Sequence, residues 1–178
     1  MFTWTYTTPK DFNDIILISD GESLTGLYFA RSRDAHKHQL EYAKKTSQPF
    51  QESIDWLDRY FAGELPPFTP KFRLKDPTPF RQEVAEVMLR IPYGHVLTYQ
   101  DIANKIAQKR GKPSMSAQAV GGAVGWNPIC LIIPCHRVVG KDKKLTGYGG
   151  GLNNKYQLLK LEGQDMSQFT WPKGGHDS

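Results

Sequence analysis

Five prolines fall between residues 66 and 79: Pro66, Pro67, Pro70, Pro77 and Pro79. Each lacks a backbone N–H and has a fixed φ, so neither a regular helix nor a central strand can run through this stretch. The chain must fold as two blocks joined by a linker, and we place the boundary at residue 76, giving blocks 1–76 and 77–178. The first block carries strand-like runs. Thr3–Thr7, Ile15–Ser19 and Leu24–Ala30 are short β-branched or aromatic segments separated by Pro9, Asn13-Asp14 and Asp20-Gly21. Gln51–Phe61 then spaces Ile54, Leu57 and Phe61 along one face of a helix.

The second block reads as mostly helical with a short strand pair. Phe80–Arg90 places Val84, Val87 and Met88 on one face and stops at Pro92-Tyr93-Gly94. Thr98 followed three residues later by Asp101 predicts a capping box opening the helix Tyr99–Gln108, which turns Ile102, Ala103 and Ile106 inward. Arg110–Pro113 breaks that helix, and Ser116 caps a second one, Ala117–Val124. Two short helices joined by a Gly/Pro turn outline a helix-turn-helix, an outline shared with ordinary helical hairpins. The fold class expected is α+β: a small N-terminal mixed sheet-and-helix domain and a mostly helical C-terminal domain.

Charge separates the blocks as well. Residues 1–75 hold ten Lys/Arg and ten Asp/Glu, whereas residues 76–178 hold thirteen against eight and so carry the whole net charge of +5. Between His95 and Gly150 there are eight basic and two acidic side chains. A basic block beside a neutral one points to an anionic partner such as nucleic acid, although a solvated lysine-rich face gives the same count. No window approaches the ~18 apolar residues of a membrane span, and Met1–Lys10 has no basic region before an apolar run. We therefore expect a cytoplasmic protein without a membrane partner. Cys130 and Cys135 are the only cysteines, too few for a disulfide scaffold or a four-cysteine zinc site, and no metal or cofactor is expected.

The chemistry concentrates in Asn127–Val139 (NPICLIIPCHRVV). Leu131–Ile133 is expected to be a buried strand stopped by Pro134, so that Cys135 emerges at a strand end. His136 and Arg137 follow it, and both can favour a thiolate, a soft nucleophile able to attack saturated carbon. Cys130, among apolar neighbours, is assigned to the core.

Pro134-Cys135-His136-Arg137-Val138 resembles the signature of the O6-alkylguanine-DNA alkyltransferases (methylated-DNA–protein-cysteine methyltransferases). Ile91-Pro92-Tyr93-Gly94, Thr98-Tyr99, Ala119-Val120-Gly121-Gly122-Ala123, Asn127-Pro128, Thr146–Leu152 and Leu158-Leu159 with Glu162-Gly163 are similar to the family in order and spacing. The resemblance is close over residues 77–163 and general over 1–76. It implies a winged-helix-like DNA-binding domain that flips a damaged nucleotide from duplex DNA and moves its alkyl group from guanine O6, or thymine O4, irreversibly to Cys135. The resemblance makes His136 the base through a bridging water and Glu162 the residue that orients it. Tyr99 would donate to guanine N3, the carbonyls of Cys135 and Val138 would accept from the exocyclic amine, and the Tyr148–Gly149 backbone would line the pocket. Asn127 would tie the recognition helix to the active-site segment, Gln118, Ala119 and Gly122 would face DNA, and Arg137 joins the DNA or base contacts. A monomer acting once is implied.

Three departures from the family pattern stand out. Gln118 occupies the position where an intercalating Arg is usual, and weaker DNA binding is expected. Gly149 replaces a common Ser or Ala, a change expected to be harmless because only the backbone N–H is needed. The first block has no cysteines for the N-terminal zinc site of some members, and His36 and His38 are expected at the surface. A sensor of alkylated DNA, a helix-turn-helix regulator and a cysteine hydrolase are the competing readings. The first lacks a cysteine at this position, the second leaves Tyr99, His136 and Glu162 unused, and the third lacks an oxyanion motif.

Overall fold

The computed structural model describes residues 1–37 and 42–172. The first block forms a four-stranded sheet in the order β3-β2-β1-β4. β1 (Phe2–Tyr6), β2 (Ile15–Ser19) and β3 (Leu24–Phe29) make an antiparallel meander, and the two-residue β4 (Lys44–Lys45) lies parallel to β1. The three expected strands are present, with ends moved by one residue at β1 and β3. α1 (Arg33–Lys37) follows β3, and α2 (Gln51–Phe61) buries Trp56, Leu57 and Tyr60 over the expected range.

In the second block, α3 spans Pro79–Leu89, with Thr78 Oγ1 accepting from Arg81 N at 3.2 Å and Pro79 where a missing N–H is harmless. α4 (Tyr99–Arg110) opens on the expected capping box: Asp101 N donates to Thr98 Oγ1 at 3.0 Å and Thr98 N donates to Asp101 Oδ2 at 2.8 Å. It closes on Gly111 at φ 66°, a left-handed cap that glycine adopts freely. α5 (Ala117–Trp126) starts at Ser116, whose Oγ accepts from Ala119 N at 3.1 Å. α4 and α5 are the helix-turn-helix. β5 (Leu97–Thr98) pairs in parallel with β6 (Val138–Val139), and α6 (Leu152–Leu161) carries the chain to Glu162.

One expected element is absent. Leu131–Ile133 is a buried turn rather than a strand: Ile129 makes a single bridge to Leu27, Leu131 takes φ 70°, and Ile132 N and Ile133 N fold back onto the carbonyls of Cys130 and Ile129. A short apolar run has no phase with which to separate strand from buried turn. Cys135 consequently emerges on a single turn of 3-10 helix, Cys135–Arg137.

The same bridge joins the blocks. Leu27 N donates to Pro128 O and Cys130 N to Leu27 O, so the active-site segment covers the free edge of β3. Asn13 and Asn154 exchange two further hydrogen bonds across the boundary. One continuous apolar core contains residues of both blocks, including Leu17, Leu27, Phe29, Ile129 and Leu159.

Candidate active site

Cys135, Tyr99, Asn127, Tyr148 and Gly149, all expected at the site, line one cavity of about 90 Å³, together with Lys155. A larger cavity of about 500 Å³ opens between α3 and α4, but neither Cys135 nor His136 reaches it. The turn fixes the cysteine. Asn127, the C-cap of α5, donates from Nδ2 to Ile133 O at 2.9 Å and accepts Ile129 N on Oδ1 at 3.0 Å. Both ends of the turn are thereby tied to the helix.

Cys135 Sγ lies 4.0 Å from Cys130 Sγ, and both thiols are buried and free. A hydrogen bond from the Cys130 thiol lowers the pKa of Cys135 below the ordinary thiol value. Burial opposes this, and the Asn127 amide and the Lys155 ammonium assist. Cys130 moves the other way, well above that value, because it is the thiol that keeps its proton. Cys130 is thus buried as expected but touches the acceptor thiol. Of the sequence neighbours expected to favour the thiolate, Arg137 is bound to Glu162 and His136 engages the same carboxylate through Nε2.

His136 Nε2 meets Glu162 Oε2 at 2.6 Å, with both side chains fully buried. Arg137 donates from Nε to Glu162 Oε1 at 2.7 Å, from one terminal nitrogen to Oε2 at 3.1 Å and from the other to Ile91 O at 2.8 Å. Tyr60 donates its hydroxyl to Glu162 Oε2 at 2.6 Å, and Gly94 N reaches Oε1 at 3.3 Å. Burial works against the Glu162 charge, but the hydrogen bond from His136 and the charge and hydrogen bonds of Arg137 outweigh it and hold the carboxyl far below its usual range. Burial pushes His136 down despite Glu162, so the fixed counter-charge of the carboxylate is Arg137 and the imidazole is neutral. An ionised carboxylate only accepts, which puts the imidazole proton on Nε2 and leaves a lone pair on Nδ1. Nδ1 is buried without a hydrogen-bond partner among the described residues.

One expectation needs correction. Arg137, expected among the DNA or base contacts, is 9% exposed and committed to Glu162 and Ile91, so it cannot reach DNA. The Val138 carbonyl, expected to face the base, already accepts Lys155 Nζ at 2.6 Å, leaving one lone pair for another donor. Gly149 does more than keep its N–H, because a Cβ there would sit 2.2 Å from Asp34 Oδ1.

Tyr99 is half-buried at the start of α4, and its hydroxyl pairs with Thr146 Oγ1 at 2.9 Å. Burial raises the pKa of this phenol, which keeps it a donor. Gln118, Ala119 and Gly122 form an exposed face of α5, and a Cβ on Gly122 would meet nothing within 4 Å, so this glycine leaves the helix surface open. His36 is exposed as expected, while His38 lies outside the described residues. Tyr60, Asp34 and Lys155 were not found in the sequence. Lys155 had a signal: it falls on the buried stripe of α6 with Leu152, Leu158 and Leu159, where a lysine needs a partner. Tyr60 and Asp34 had none, since nothing local ties them to a site far along the chain.

Comparison with known proteins matches both blocks. The family model described as 6-O-methylguanine DNA methyltransferase, DNA binding domain, matches residues 79–164, and that of its ribonuclease-like domain matches residues 4–74. The methylated-DNA–protein-cysteine methyltransferase of Haemophilus influenzae is 39% identical over 155 residues, 86% of this chain and 83% of that protein. Its Mycobacterium tuberculosis counterpart is 50% identical over 113 residues, 64% of this chain and 65% of its own length. The crystal structure of Mycobacterium tuberculosis OGT in complex with DNA superposes with a TM-score of 0.78 at 36% identity, covering 96% of each chain. No helix among the described residues is long and apolar enough to cross a membrane.

Proposed function

The chain belongs to the 6-O-methylguanine DNA methyltransferase family, and from that premise we propose that it repairs DNA by moving an alkyl group from guanine O6 to Cys135, once per molecule. The observation that carries this reading is a buried thiol at the wall of a small cavity, followed in sequence by a buried imidazole that Glu162 holds by Nε2 and whose Nδ1 has no partner among the described residues. The proton of Cys135 passes through a water to His136 Nδ1. The thiolate attacks the alkyl carbon, forming a C–S bond as the C–O6 bond breaks, and the electron pair leaves on the purine. Glu162 holds the tautomer and stabilises the imidazolium, as the acid does in other nucleophile–His–acid systems. Tyr99 donates to guanine N3 where that charge develops, and the Tyr148–Gly149 backbone faces O6. The carbonyls of Cys135 and Val138 take the exocyclic amine, Val138 with its remaining lone pair. The product is a thioether with no route back, so the protein is consumed.

Such a cavity cannot reach a base inside a stacked duplex, so the target nucleotide must be flipped out. The open face of α5 lies in the minor groove with Gln118 at the gap, and exposed lysines of the second block supply phosphate contacts. All the named groups come from one chain, so a monomer is the working unit.

Mass spectrometry after mixing the protein with duplex DNA containing O6-methylguanine tests the reading. One methyl group should appear on the Cys135 peptide, with no turnover beyond one per protein and none in Cys135→Ser. An unmodified Cys135 with intact DNA binding would instead favour a sensor of alkylated DNA.

A further inference from the structure

The first block reaches into the cavity beside the acceptor thiol. Asp34, on α1, is 6% exposed and lines the same cavity as Cys135 and Tyr99. Its backbone N–H donates to Gly149 O at 3.1 Å, and its Oδ2 lies 3.9 Å from Cys130 Sγ, the thiol that contacts Cys135. A Cβ built on Gly149 would stand 2.2 Å from Asp34 Oδ1 and 2.5 Å from its Cγ, separations that no carbon tolerates. The Asp34 carboxyl therefore fills the volume that a side chain at residue 149 would need. A side chain at position 149 and the aspartate at position 34 exclude each other.

We propose that Asp34 is a specificity-determining residue that sets, together with Gly149, how large an alkyl group Cys135 can accept, confining the protein to small groups such as methyl. The inference rests on the reading of Cys135 as the alkyl acceptor. A bulky group entering beside Cys135 has to displace a buried carboxyl that α1 holds by its backbone to Gly149. Removing the Asp34 side chain opens that volume and takes away a charge that raises the Cys135 pKa, an effect that acts on both substrates alike and cancels in their rate ratio.

The test compares single-turnover transfer from duplex oligonucleotides carrying O6-methylguanine or O6-benzylguanine. Asp34→Gly and Asp34→Ala should raise the benzyl-to-methyl rate ratio by roughly tenfold or more, the scale on which one methylene is discriminated in a close-fitting pocket. Asp34→Asn, equal in size but uncharged, should keep the wild-type ratio, which separates volume from charge. Gly149→Ser alone should lose methyl transfer through its collision with Asp34, and Asp34→Gly combined with Gly149→Ser should recover it. An unchanged ratio in both Asp34→Gly and Asp34→Ala, with methyl transfer intact, would overturn the inference and leave the acceptor reading standing. A wild-type protein that takes no methyl group on Cys135 would overturn both.

Discussion

Lys155 is 1% exposed, and its ammonium donates to the Val138 carbonyl at 2.6 Å. Burial lowers its pKa from 10.5 to about 8, with the charge of Cys135 opposing the drop. The folded protein therefore binds the Lys155 proton more weakly than the unfolded chain does. The stability tied to this lysine is full above pH 10.5 and is lost as pH falls to about 8. One pKa unit is ~1.4 kcal/mol, so a shift of this size costs the folded state about 3 kcal/mol at pH 7. Lys155→Met removes the charge in nearly the same volume and forfeits about 1 kcal/mol of hydrogen bonding to Val138. The variant should be more stable than the parent at pH 7 by about 2 kcal/mol, a rise of roughly 4–8 °C in melting temperature for a chain of this size. By pH 10.5 the order should reverse. Urea unfolding at several pH values, with both proteins in a Cys135→Ser background to remove the thiol's own titration, measures the crossover. With Cys135 present, methyl transfer should slow, because a cation that favours the thiolate is gone. A Lys155→Met protein that is less stable at pH 7, with a gap constant between pH 8 and 10.5, would refute the reasoning.

Three further outcomes follow from the site. Glu162→Gln leaves the buried Arg137 without a counter-charge and should cost about 3 kcal/mol in urea unfolding. It also releases the His136 tautomer, so transfer should fall roughly hundredfold or more even at temperatures where the variant is folded. Cys130→Ala removes the hydrogen bond that most lowers the Cys135 pKa, so the pH midpoint for Cys135 alkylation by iodoacetamide should move upward. Gln118→Arg adds a cation on the exposed start of α5, and duplex binding measured against salt should tighten and become steeper, by up to about one unit of log–log slope if the new cation meets a phosphate.

What could be read in the sequence was whatever a few neighbouring residues decide among themselves. Thr98 and Asp101 satisfy each other's backbone groups across three residues, so the start of α4 was legible, whereas its end was read two residues early, at Gln108 rather than Arg110. The resemblance placed Cys135, Tyr99, Asn127, Tyr148 and Gly149 together, and they do line one cavity. The turn at residues 129–133 escaped because its residues are all apolar and its shape is set by Asn127 and by the edge of β3. Arg137 was misjudged for a related reason. An arginine in a basic block suggests DNA until a buried carboxylate 25 residues later claims it.

The same logic changes what the first block is for. Glu162 takes one of its shortest hydrogen bonds from Tyr60, 102 residues earlier, and that bond helps keep the carboxylate charged in a dry site. Without Tyr60, Glu162 Oε2 would keep His136 and Arg137 but lose a third, charge-assisted hydrogen bond, at a cost of ~1.5–3 kcal/mol. Asp34 meets Gly149 in the cavity by an equally long reach. Neither contact has a periodicity, a cap or a turn to announce it, because each is a constraint between two positions rather than a property of either. The constraint at 34 and 149 is steric and therefore reciprocal. A chain with serine at 149 must carry something smaller than aspartate at 34, or hold α1 further from the cavity, before its acceptor cysteine can work.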